Sequence, residues 1–117
     1  MTNYKKVSVE NAPRVELHDQ LELTGAEISY NTIDAGGCVP FIHSHKQNEE
    51  IYYILSGSGK AIIDNDEIDL VAGDFIKISP NGARQFFASK ENSISYICIQ
   101  VKENSLEEFT ANDAIIK

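Results

Sequence analysis

A chain of 117 residues supports one hydrophobic core and not two, because a chain this short buries only about two-thirds of the surface its unfolded form exposes. Its 18 acidic and 10 basic residues leave a net charge of −8, which repels nucleic-acid phosphates and anionic lipid headgroups, so neither is expected as a partner. An apolar share of 42% is too high for a disordered chain, and no apolar run approaches the roughly 20 residues that cross a bilayer.

The opening MTNYKKVSVENAP has two lysines but no apolar block behind them, so it does not read as a secretory signal, and the protein is expected in the cytoplasm. Period-two alternation rich in Ile, Val, Tyr and Phe then predicts nine short strands: Lys6–Val9, Arg14–Leu17, Ala26–Ile33, Ile51–Leu55, Lys60–Asp64, Glu67–Val71, Phe75–Ile78, Arg84–Ala88 and Ile94–Val101. Turn chemistry separates them at Asp34–Gly37, Ser56–Gly59, Asp64–Asp66, Ala72–Asp74 and Ser79–Gly82. Such spacing suggests an all-β sandwich or barrel. A helix is expected at one place, the C-terminus, where Ser105-Leu106-Glu107-Glu108 has the form of a capping box. No linker or repeat divides the chain, so residues 1–117 are expected to form one domain. Cys38 and Cys98 lack metal-site spacing and read as small apolar fillers. Strands such as ISYICIQV are apolar on both faces and predict a homodimer.

The segment 37–57, GCVPFIHSHKQNEEIYYILSG, carries the chemistry. His43 and His45 are two residues apart, which on an extended backbone points both imidazoles to one side. A turn through Lys46–Glu49 can return Glu50 beside them. Two imidazoles and a carboxylate suit iron, manganese, zinc or nickel, so these three are the candidate metal ligands. The plainer alternative is a polar strand end with a solvated Glu50.

The spacing Gly37, His43-x-His45, Glu50, Gly57 resembles the first motif of the cupin superfamily, and Gly73 to Ala88 resembles the second in part. Ser79 stands where the family usually has Pro, Asn81 where it has Gly, and Ala88 where it often has Asn. Arg84 stands where metal-binding cupins supply a third histidine, and a guanidinium does not ligate cations. The resemblance implies a double-stranded β-helix (jelly-roll) barrel, with core motifs at 37–57 and 73–88 and a metal or substrate pocket inside. The family's dioxygenases, isomerases, epimerases, decarboxylases, lyases and binding domains share this fold, so the fold does not choose a reaction.

By strand parity Glu50 lines up with Tyr52, and Arg84 with Phe86. Arg84, Tyr52, Phe86 and, at the pocket mouth, Gln47 are therefore candidate contacts to a small-molecule ligand; for Tyr52 and Phe86 the competing role is core packing. Three functions stay open: a metal-dependent oxygenase or isomerase, a metal-free module for an anionic or sugar-like ligand in which Arg84 pairs with Glu50 or the ligand, and metal-free acid–base catalysis by a histidine and Tyr52.

Overall fold

The computed structural model of the protein describes residues 2–10 and 12–117. Seven strands, β1 (Arg14–Glu16), β2 (Glu27–Ile33), β3 (Asn48–Ile63), β4 (Asp66–Val71), β5 (Phe75–Ile78), β6 (Arg84–Ala88) and β7 (Ile94–Lys102), are accompanied by two single-turn helices, α1 (His18–Leu21) and α2 (Thr110–Asp113). All strand pairings are antiparallel. Helix accounts for 7% of the chain against 45% strand, so the mostly β reading holds.

The long strand β3 organises the rest. Its first half lies between β7 and β5, with Tyr52 opposite Cys98 on one side and Ile76 on the other. Its second half lies between β4 and β6, with Ala61 opposite Ile68 and Phe86. Strands β1 and β2 continue the first layer beyond β7. The alternation of the sequence sets which side chains turn inward: Tyr52, Ile54, Ala61, Leu70, Ile78, Phe86, Ile94, Tyr96 and Cys98 form the buried core. Rings of Tyr52 and Phe86 stack at 4.3 Å, and Phe86 stacks on Tyr96 at 5.2 Å, a geometry that adds to simple burial.

Three expectations are corrected. Ser56–Gly59 is not a turn between two strands but the bend within β3, with a register shift between Ile54 and Ser56. Its glycines serve close approach: a Cβ on Gly57 would stand 1.7 Å from the Ser93 carbonyl oxygen, and one on Gly59 would stand 2.1 Å from that of Phe87. Residues Lys6–Val9 form no strand, because no neighbouring strand pairs with them and an unpaired edge gains no ladder bonds. The C-terminal helix begins at Thr110, not at the capping box; Phe109 is its N-cap and no side chain caps it. Residues 105–109 are exposed, so no packing holds a helix there that is too short to persist alone. Helix α1, which the sequence reading did not include, follows β1 directly.

Candidate functional site

A cavity of about 650 Å³ opens within the barrel, a size suited to a small organic molecule. His43 and His45 enter it from the connection between β2 and β3 rather than from a regular strand. Backbone bonds hold this connection extended: His43 N–H donates to the Arg84 carbonyl at 3.1 Å, Arg84 N–H returns to the His43 carbonyl at 2.9 Å, and His45 N–H donates to the Pro80 carbonyl at 2.8 Å. The expected consequence of the two-residue spacing follows, since both imidazoles line the cavity. Glu50 and Tyr52 arrive from β3, Arg84 and Phe86 from β6, and Cys98 from β7.

Glu50 is the centre of this group. Only 4% of it is exposed, and a buried carboxylate is stable only when its oxygens are bonded. Oε1 accepts from the Tyr52 hydroxyl and from Arg84 Nη1, both at 2.6 Å, and Oε2 accepts from the Cys98 thiol at 3.3 Å. Burial pushes the Glu50 carboxyl upward, but these three bonds and the neighbouring His45 outweigh it and hold the group below its ordinary value of 4.5. The same carboxylate, together with burial as the main cause, raises the Tyr52 hydroxyl and the Cys98 thiol, so both remain protonated donors. For His43 burial is again the largest influence, and with Arg84 and His45 it prevails over the attraction of Glu50 and holds the imidazole below 6.5, hence neutral near pH 7.

Arg84 is fully buried at 0% exposure. Nε donates to the Gly82 carbonyl at 2.9 Å, and Nη2 donates to the Ser79 carbonyl at 2.8 Å and the Pro80 carbonyl at 3.3 Å. With the bond to Glu50, four of its five N–H donors are engaged inside the protein. Ser79 therefore enters the site through its carbonyl, which Arg84 uses.

The ligating atoms of His43, His45 and Glu50 all lie within 4.8 Å of one another. His45 Nε2 stands 3.2 Å from Glu50 Oε2, yet misaligned for a hydrogen bond; it and His43 Nδ1 are buried without partners among the described residues. Buried polar atoms are rarely left so. A ring nitrogen and a carboxylate oxygen that converge without a hydrogen bond between them fit a shared cation. These three residues could hold a divalent ion; Arg84 bonds Glu50 Oε1, the oxygen that His43 Nε2 approaches to 3.8 Å, while His45 faces Oε2.

The remaining sequence candidate, Gln47, is exposed and lies outside the cavity lining; its carbonyl accepts from Glu103 N–H at 3.0 Å. Cys98 is buried as a filler would be, but its thiol also bonds Glu50, a role legible only from its parity with Tyr96 and its register opposite Tyr52. Cys38 is exposed at the cavity mouth rather than packed. Ser29 and Asn31 of β2 line the cavity as well, buried and bonded to each other at 3.0 Å. His18, outside the motifs, pairs with the adjacent Asp19 at 2.8 Å, away from the cavity.

Fold and site together define a small β-barrel protein with a ligand-sized cavity and a two-histidine, one-carboxylate cluster in its wall. The family model described as Cupin domain matches residues 30–100, and the chain belongs to that family. A crystal structure of a cupin protein from Bacteroides fragilis is 55% identical, with a TM-score of 0.97, and the match covers 100% of this chain and 99% of that one. A sugar phosphate isomerase of the cupin superfamily from Silicibacter pomeroyi is 17% identical with a TM-score of 0.67, over 77% of this chain and 60% of that one, a likeness of fold alone. An uncharacterized protein of Methanocaldococcus jannaschii is 43% identical over 44 residues, 38% of this chain and 35% of that relative.

Proposed function

We propose that this cupin barrel binds a small organic molecule in its cavity next to a divalent cation held by His43, His45 and Glu50. The observation that carries the reading is His45 Nε2, buried without a hydrogen-bond partner among the described residues although it stands 3.2 Å from Glu50 Oε2, with His43 Nε2 3.8 Å from Oε1. A cation held there supplies Lewis acidity, which polarises an oxygen of the bound molecule. The chain's own residues do the positioning: Arg84 and Tyr52 fix Glu50 through Oε1, leaving Oε2 turned toward His45, in the way that outer partners orient metal-binding carboxylates. Tyr52, Phe86 and Tyr96 supply an apolar wall, and Ser29 and Asn31 a hydrogen-bonding one. The reaction class that fits is a metal-dependent oxygenase or isomerase, with iron, manganese, zinc or nickel as the ion.

A second reading has its own observation. The 2.6 Å ion pair between Arg84 and Glu50 already neutralises the carboxylate, which suits a metal-free module whose imidazoles hydrogen-bond an anionic or sugar-like ligand. Elemental analysis of protein purified without a metal-binding tag separates the two. Near-stoichiometric manganese, iron, nickel or zinc that disappears in His45→Ala is expected; protein that stays metal-free after exposure to all four ions favours the second reading.

A further inference from the structure

From the charge balance around Glu50 we infer that the cation site is built to bind a cation and an anionic ligand together, each weakly alone, because Arg84 removes the negative charge that would otherwise offset the cation. The inference rests on the metal-site reading given above.

Glu50 is the single carboxylate in the candidate cluster, and ligating imidazoles must be neutral. Arg84 sits 2.6 Å from Glu50 Oε1, wholly buried, and its side chain cannot lose its charge. The cluster together with Arg84 therefore has no net charge before an ion arrives, and a divalent ion leaves it with two positive charges in excess, because the one negative ligand, Glu50, is already balanced by Arg84. In a low-dielectric wall such excess charge is costly. Of the other charged groups lining the cavity, Arg14 bonds Glu16 and Asn31 and adds a further positive charge felt at His43, Glu27 accepts from Leu17 N–H and His18 N–H, and Asp34 is exposed. An anion bound to the open positions of the ion restores neutrality. With four of its five donors engaged, Arg84 is not the anion's hydrogen-bond partner; it acts through its charge. Linkage then makes the effect reciprocal: the anion raises affinity for the cation by the same factor as the cation raises affinity for the anion. The ligand class this selects is a small anion, such as a carboxylate, and not a neutral polyol.

The test measures manganese(II) dissociation constants from the free-ion electron paramagnetic resonance signal, in buffer alone, in saturating glycolate, and in saturating glycolamide, the neutral analogue of the same shape. At least about tenfold tighter manganese binding in glycolate than in glycolamide is expected, with the difference shrinking in Arg84→Gln, whose affinity in buffer alone rises. Equal affinity in glycolate and glycolamide overturns the inference while leaving the metal site standing. A glycolate effect of the same size in Arg84→Gln overturns the part assigned to Arg84. Absence of manganese binding in every medium instead removes the metal-site reading on which the inference rests. If Arg84→Gln does not fold, the wild-type comparison of glycolate with glycolamide still decides.

Discussion

Glu50 and Arg84 are each other's solution to burial, and separating them is costly. Removing the carboxylate leaves a guanidinium at 0% exposure without its counter-ion, and breaking a buried pair from one side costs about 3–5 kcal/mol. Glu50→Ala is expected to lose stability in that range by urea unfolding, whereas Glu50→Leu combined with Arg84→Met recovers most of the loss. A double variant no better than the single one would mean that the carbonyls of Gly82, Ser79 and Pro80, and not the ion pair, dominate. Acid acts on the same cluster with a definite sign. His43 is held below 6.5 and Glu50 below 4.5, so both bind fewer protons folded than unfolded. Their contribution to stability is full above about pH 6.5 and is lost as the pH falls, first through the range of His43 and then through that of Glu50. Urea midpoints that decline between about pH 7.5 and about pH 4 are expected; a flat profile contradicts the assignment. Of this cluster, His43, His45 and Glu50 were legible because spacing alone brings them together. Strand parity also turned Arg84 toward the pocket and left its pairing with Glu50 as one of two open alternatives, the other being a bound ligand; only tertiary register, which no local pattern encodes, selects Glu50.

At the scale of the elements, β3 shows where local sequence misleads. Gly57 and Gly59 read as turn residues by propensity, yet they mark the place where β3 leaves β7 for β6 and other backbones come too close for any side chain. Gly57 also has φ of +79°, the left-handed region. Gly57→Ala is expected to cost at least about 2 kcal/mol, combining the backbone penalty with displacement of Ser93, while Gly25→Ala, with nothing within 4 Å of the added carbon, stays near neutral. Thermal unfolding of the two variants checks this. Equal melting temperatures would mean that the bend yields easily. The alternation in β2, β6 and β7 transferred from sequence to structure with bounds shifted by a residue at most. The short helices did not: a single turn draws its stability from contacts that no local pattern encodes.

For the whole molecule, the layer formed by β2, β7, β3 and β5 departs from an ordinary half-buried sheet in being apolar on its outer face as well as in its core. Its inner face carries Ser29, Asn31, Glu50, Tyr96 and Cys98 around the cavity. The registers Ile28–Ile99–Ile51 and Tyr30–Ile97–Tyr53–Phe75 put a continuous apolar band on the outer face. None of these seven residues is buried, and Phe75 is 72% exposed. Leu106, Phe109, Ile115 and Ile116 of the C-terminal segment are each more than 70% exposed as well. Apolar side chains grouped in this way suit an interaction surface, and the expected occupant is a second copy of the chain. Sedimentation at micromolar concentration should give a dimer mass for the wild type and a monomer for Tyr53→Glu; a strictly monomeric wild type contradicts it. No described helix is long and apolar enough to cross a membrane.

The central claim, that His43, His45 and Glu50 form a cation site whose strength Arg84 holds down, is tested most directly by calorimetric titration of wild type, His45→Ala and Arg84→His with manganese, iron(II) and zinc. Arg84→His removes a positive charge and adds an imidazole at the same position. Unit charges about 4 Å apart at an effective dielectric near 20 repel by roughly 4 kcal/mol, so even partial relief is measurable. The account predicts one saturable site per chain, lost in His45→Ala and at least about tenfold tighter in Arg84→His. No saturable site in either wild type or Arg84→His, or an affinity that neither substitution changes, would contradict it.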